Sequence, residues 1–270
     1  MMIFRAHVLT VCLLCLPVAS VVEAGDALDS YNVIWTTPST NSNGSMPIGN
    51  GEVGLNVWVE AGGDLLFYVA RTDAWSGNGR LLKLGRIRVK LTPNPFAKGL
   101  PFRQELKLRE GEIEIVAGQA DRSVQLRVWV DAGAPVVHVD VEGAQPLEVQ
   151  ASLEVWRTKQ RTLAGAESKS AYGIAMGPDP VVVEPDVVLP AAGNRVTWYH
   201  RNGKSCYPIT LKVQGLESLL VDFPDPLLER TFGGCLRGDG FISAGDNAIR
   251  SAEPRKQHRV SVHTMTSQTE

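Results

Sequence analysis

Two short clusters in this chain of 270 residues combine residue types suited to holding a polar ligand. The first is Pro47-Ile-Gly-Asn-Gly51, followed by Gly54, at the head of an apolar stretch from Val53 to Val59. Glycine tolerates positive φ and lets another backbone, or a ligand, come close. This is not a phosphate loop, because no Gly-Lys-Ser/Thr is present and the element that follows reads as a strand. The second cluster, Arg71-Thr-Asp-Ala-Trp-Ser-Gly77, follows the apolar run Leu65 to Ala70. It sets an acid and a tryptophan on a loop beside a sheet. Such a pair can hydrogen-bond and stack on a sugar ring, or it can pin the loop.

The rest of the chemistry is thinner. Cleaving a glycosidic bond takes two carboxyl groups flanking it. Asp73, Asp222, Asp225, Glu229 and Asp239 are available, but nothing in their spacing brings two of them together. Asp225 before Pro226 reads equally as a turn residue. No catalytic residue is therefore expected in this chain. His200, between Tyr199 and Arg201, has a side chain fit for proton transfer, although a lone His in a strand reads first as structural. Cys206 and Cys235 lie too far apart, with no Cys-x-x-Cys or His-x-x-x-His spacing, to suggest a metal site. They fit a single disulfide or two separate buried thiols. No dinucleotide fingerprint or nucleophile elbow is present, so no cofactor is expected.

The elements that must position these residues are strands. Ile87, Val89 and Leu91 alternate with Arg86, Arg88 and Lys90, and Val124, Leu126, Val128 and Val130 alternate with Gln125 and Arg127. Ile113 and Ile115, then Val137, Val139 and Val141, then Leu147 to Val155 follow the same period of two. Turns are expected at Thr92 to Pro95, Glu110-Gly111, Gly133 to Pro135 and Glu142 to Ala144. Further strands are expected over 195–200, Ile209 to Val213, Leu219 to Phe223 and 258–265, with at most one helical turn at Leu227 to Phe232. Residues 157–195, with Gly177-Pro-Asp-Pro180, read as an insertion or a long loop. Many short strands at near-regular spacing predict an all-β chain, a large antiparallel β-sandwich. The same alternation turns Trp58, Trp129 and Trp156 away from the aliphatic face, to be covered by packing, a domain interface or a sugar.

Residues 1–24 stand apart from that core. Arg5, the apolar run Val8 to Val22 and the small residues around Ala24 read as a cleaved signal peptide, and the run is too short for a membrane span. A secreted or periplasmic location is expected. The 27 Lys and Arg against 29 Asp and Glu give a net charge of -2, which argues against a nucleic-acid partner. Asn43-Gly-Ser45 matches a glycosylation sequon.

The order Pro47 to Gly54, a short strand, then Asp-x-Trp-Ser-Gly from Asp73 to Gly77 resembles the N-terminal β-domain of family 95 glycoside hydrolases, the alpha-L-fucosidase type. The chain more closely resembles a bacterial domain family of unknown function, number 5703. Trp198-Tyr-His-Arg-Asn202 and Asp225 to Gly234 are similar to that family too. The resemblance covers about residues 30–270 and implies a supersandwich of galactose-mutarotase-like type. It also implies a downstream (α/α)6 barrel bearing the catalytic carboxylates, absent from this sequence. Residues 25–270 are thus expected to be a non-catalytic sandwich domain of a glycoside-hydrolase-like protein. Its partners are expected to be a carbohydrate and a missing C-terminal catalytic domain. Asn50, Asp73 and Trp75 are the residues expected to face the sugar or the barrel. Two other readings are a free-standing carbohydrate-binding module and a mutarotase-like enzyme using His200 and a carboxylate.

Overall fold

The computed structural model describes residues 25–171 and 180–268. The expected leader at 1–24 and most of Gly177 to Pro180 lie outside the described residues. No helix among the described residues is long and apolar enough to cross a membrane. In chain order the first strands are β1 (Val33–Trp35), β2 (Met46–Gly49), β3 (Val53–Val59), β4 (Leu65–Trp75) and β5 (Leu81–Thr92). Then come β6 (Phe102–Lys107), β7 (Glu112–Ala117), β8 (Val124–Val130), β9 (Val136–Glu154), β10 (Arg161–Thr162) and β11 (Val182–Val183). The last are β12 (Val187–Val188), β13 (Arg195–Arg201), β14 (Arg230–Gly238), β15 (Phe241–Ser243), β16 (Ala248–Ser251) and β17 (Arg255–Gln268).

The strands form an antiparallel β-sandwich, as the alternation predicts. One layer has the order β1-β6-β7-β8-β9-β17-β14-β13-β12, and the other runs β2-β3-β4-β5-β9-β16-β15. Registers align the apolar positions into rungs. Val130, Val137, Val262, Leu236 and Val196 face one another across the first layer. Val57, Phe67, Ile87 and Leu153 do so across the second. All but Val130 are no more than 1% exposed, and the two layers share a single apolar core. Each such side chain contributes about 1.5–3 kcal/mol by leaving water.

The strand β9 belongs to both layers, which corrects the expected turn at Glu142 to Ala144. Val137 to Gly143 pair with β8, and Glu148 to Glu154 pair with β5. Ala144 to Pro146 pair with neither, and Pro146 has no N–H to give. The chain bends there and passes from one layer to the next instead of reversing. His258, 7% exposed, braces the bend by donating from Nε2 to the Leu147 carbonyl at 2.8 Å.

Three other local expectations are corrected. Ile209 to Val213 lies in the helix Tyr207–Val213, because Pro208 in the first turn presets a helical φ and supplies no ladder donor. Leu219 to Phe223 begins within the 3-10 turn Glu217–Leu220 and closes with the Asp222 and Phe223 amides bonded to the Leu219 carbonyl. The helical turn at Leu227 to Phe232 is instead the approach to β14, entered through Glu229 at φ 61°. Among the tryptophans, Trp58 is 1% exposed with its ring 5.1 Å from Tyr68, and Trp129 stacks on His138 at 4.1 Å. Trp156 remains half exposed.

Cys206 and Cys235 are free thiols, so the possible disulfide is not formed. Cys235 sits opposite Thr197, four residues before β13 ends at Arg201. At 3.3 Å per residue that is about 13 Å of strand, and Cys206 lies beyond its end, whereas bridged Cα atoms are within about 7 Å.

Trp198 fixes where the glycines of β14 stand. Its ring is buried in the core, with Nε1 donating to the Leu84 carbonyl at 2.9 Å. It lies against Gly234 of the neighbouring strand, where a Cβ would come within 2.7 Å of two ring carbons. Gly234→Ala is expected to destabilise the fold by about 1–3 kcal/mol through overpacking, read as a lower urea midpoint. An unchanged midpoint would contradict this packing.

Candidate functional site

One end of the sandwich collects the polar side chains that the strands leave unpaired. Val53 pairs with Arg71, so the turn before β3 lies beside the second half of β4. Arg71 is 5% exposed, and its guanidinium is fully engaged. Nη2 reaches Glu52 at 2.5 Å and Asp73 Oδ2 at 3.0 Å, and Nε reaches Asp73 Oδ1 at 2.9 Å. Nη1 donates to Thr264 Oγ1 at 3.1 Å, and Thr266 donates to Asp73 Oδ1 at 2.9 Å. Because Thr264 and Thr266 belong to β17, this cluster ties the second layer to the first.

Two of the three residues expected to face a ligand have structural partners here. Asn50 donates from Nδ2 to the Asp131 carbonyl at 2.8 Å and to that of Ala134 at 3.2 Å, while its Oδ1 accepts from the amides of Glu52 and Val53. It therefore clamps the β2–β3 turn to the β8–β9 turn. Asp73 is held in the ion pair with Arg71, and its carbonyl accepts from Arg230 Nη1 at 2.9 Å. Trp75 is 40% exposed, and its indole N–H is turned back to the Thr72 carbonyl at 3.1 Å. Its ring is left partly uncovered beside Asp73.

The other candidate carboxylates also have local roles. Asp225 Oδ1 accepts from the amides of Leu227 and Leu228 and from Ser205 Oγ. Glu229 pairs with Arg201. Asp222 and Asp239 are exposed.

A cavity of about 400 Å³ opens next to Trp75. Its walls come from the turn after β4 (Ser76 to Arg80), the β11 segment, the end of β13 and the turn that follows. The floor is a seam between two distant stretches. Asn202 donates from Nδ2 to the Trp75 carbonyl at 2.9 Å, and the Cys206 amide donates to the Gly77 carbonyl at 2.7 Å. Gly77 has to be glycine, since a Cβ there would lie 1.9 Å from the Lys204 carbonyl oxygen.

Polar groups with unused capacity meet at this cavity. His200 lines it and is held from behind. Its ring stacks on Phe232 at 5.1 Å, and Nδ1 lies 3.0 Å from Asp186 Oδ1. The carboxylate accepts, so Nδ1 carries the proton and Nε2 presents a lone pair in the neutral ring. Nε2 has no partner among the described residues and is not sealed, so it opens on the cavity. Asp186, 2% exposed at its side chain, is anchored by Arg157 Nε at 2.8 Å, and Arg157 in turn donates to the Lys83 carbonyl. Asn202 is 2% exposed, and its Oδ1 has no partner among the described residues. Cys206 also lines the cavity, where burial pushes its thiol above the usual range and keeps it protonated. Among the described residues, no group of three or more His, Cys, Asp or Glu could hold a metal ion.

Sequence reasoning singled out His200 but missed its orienting partner. Asp186 falls in the irregular stretch Glu184-Pro185-Asp186, where no periodicity flags a buried acid. Asn202 was visible only as the last residue of Trp198 to Asn202.

The Arg71–Asp73 pair gives the site a pH signature. Hydrogen bonds from Arg71 hold the Asp73 carboxyl below the usual range, and Asp73 in turn raises Arg71. A carboxyl whose folded value is depressed stabilises the fold fully above its unfolded value, about 3.9, and loses that contribution as pH falls through the folded value. Asp73 is 37% exposed, so solvent screening keeps the effect to no more than about 1 kcal/mol. Asp73→Asn is expected to lower the urea midpoint at neutral pH and to converge on the wild type in strong acid. A gap that persists unchanged in acid would contradict the assignment.

Comparison with known proteins places the chain. No curated protein matches it. Among solved structures, a candidate kojibiose phosphorylase from the human microbiome superposes with a TM-score of 0.34 at 10% identity. The superposition covers 89% of this chain and 30% of that one, so the chain spans less than a third of its neighbour's length. The N-terminal domain of the family described as a domain of unknown function, DUF5703, matches residues 34–270. The chain therefore belongs to the DUF5703 family, as that N-terminal domain.

Proposed function

We propose that this chain is the non-catalytic N-terminal β-sandwich of an exported glycoside-hydrolase-like protein. It packs on a helical catalytic domain and holds loops beside a carbohydrate. One observation carries the reading. The four stretches that resemble such proteins lie far apart in sequence, yet they meet at one end of the sandwich. Arg71 and Glu52 join the Pro47–Gly54 turn to the Asp73–Gly77 stretch. Asn202 joins Trp75 to the Leu227 carbonyl, and Arg230 reaches the Asp73 carbonyl. Scaffold residues alone would be spread through both layers. Loops gathered on one face suit a surface that meets something else.

In this reading Asn50 and Asp73 act as positioning residues. They hold the turn and the β4 end rigid, and Trp75 offers the uncovered ring that packs on a sugar face or on the catalytic domain. Bond cleavage lies elsewhere, because Asp73, Asp225 and Glu229 are each engaged in local bonds that hold loops in place. The leader at 1–24 exports the protein.

Purified chain is expected to leave a panel of 4-nitrophenyl glycosides uncleaved, with release of nitrophenol at the rate of the enzyme-free blank. Turnover above that blank by the chain alone, retained through repurification, would contradict the proposal.

A further inference from the structure

The cavity beside Trp75 has a composition that none of the comparisons assigns to a ligand. Its volume, about 400 Å³, falls within the ~300–1,000 Å³ of small-molecule sites. One side is apolar, formed by Leu82, Val182, Val183 and Ile209. The other carries Ser76, His200 and Asn202. A ligand that fits both sides has a C–H face and a hydroxyl edge.

The unused groups narrow the class further. His200 Nε2 and Asn202 Oδ1 are acceptors, and neither has a donor among the described residues. The amide orientation of Asn202 is fixed because Nδ2 already donates to two carbonyls, at 2.9 and 2.8 Å. Buried acceptors without donors are uncommon in folded proteins and mark a place where something else supplies the hydrogen. Glu184 and Lys204 contribute one charge of each sign to the lining, and Arg80 is drawn 3.8 Å from Glu167. No net charge is demanded of the ligand. No Phe, Tyr or Trp is among the described residues lining the cavity, so there is no platform for a flat base.

We infer that this cavity is a binding subsite for one neutral sugar ring, with His200 Nε2 and Asn202 Oδ1 each accepting a hydrogen bond from a ring hydroxyl. The choice of a sugar among neutral polyols rests on the function proposed above. Asp186 and Arg157 are positioning residues in this arrangement. They hold the His200 proton on Nδ1, and so keep the lone pair toward the ligand.

The test is isothermal titration of the full chain with a panel of methyl pyranosides and their monodeoxy analogues. At least one glycoside is expected to bind saturably, and the analogue lacking the bonded hydroxyl is expected to bind about tenfold more weakly. His200→Phe keeps the stack on Phe232 and removes the acceptor. It is expected to weaken the parent sugar about tenfold and to erase the penalty at one deoxy position. Val182→Trp fills the cavity and is expected to abolish binding. Urea midpoints establish that both variants are folded. Binding unaltered in both folded variants would overturn the inference, as would no heat with any glycoside of the panel. If such binding is lost on Trp75→Ala instead, the proposed function stands and this subsite falls. Glycoside turnover by the chain alone would remove the proposed function without touching the subsite.

Discussion

The site depends on one close approach. Gly77 and the Lys204 carbonyl are so near that no side chain fits between them. That contact lets the Cys206 amide reach the Gly77 carbonyl and the Asn202 amide reach the Trp75 carbonyl. Two stretches separated by more than 120 residues of sequence are fused along this seam. Everything on the cavity floor inherits its position from it. A side chain at residue 77 would push the two loops apart, and the acceptors of His200 and Asn202 would no longer face the same space.

Two buried guanidinium groups stabilise the surroundings in different ways. Arg71 lies where β4 of one layer meets β17 of the other, and it bonds Glu52, Asp73, Thr264 and Thr266 at once. Arg157 sits behind the cavity and holds Asp186, which in turn orients His200. Desolvating such groups costs several kcal/mol each, and the ionic attraction roughly offsets that cost. Their net worth to stability is therefore small. What they contribute is geometry, because a charge deprived of water accepts few arrangements of its partners. Asn50 does the same with neutral groups, locking the turn before β3 to the turn before β9.

The sandwich was legible because strand alternation reflects a core that the two layers share. Ile113, Val128, Val139 and Val260 form one rung in which every member sits at an alternating apolar position. The method failed where another constraint replaced burial on one face. Ile209, Leu211 and Val213 alternate like a strand, yet Pro208 sets a helical start that outweighs five residues of pattern. Trp58 falls on the outer face by alternation and is nonetheless buried, because Tyr68 of the adjacent strand packs on it. Of the site, the loops were legible as glycine-rich and polar clusters. The cavity was not, because it arises from pairing across β13, β14 and the seam, and sequence spacing carries no trace of contacts at that range. Asp186 in particular is set by its partners, Arg157 and His200, which stand 29 and 14 residues away.

Amide hydrogen exchange at the seam measures the central claim most directly. If the Gly77–Lys204 approach holds the two loops together, the Cys206 amide exchanges slowly in the wild type. In Gly77→Ala it should exchange quickly, while the amides of β8 and β9 keep their protection. A Cys206 amide that exchanges equally fast in both proteins, or remains equally protected in both, would mean that the loops are held by something other than this contact.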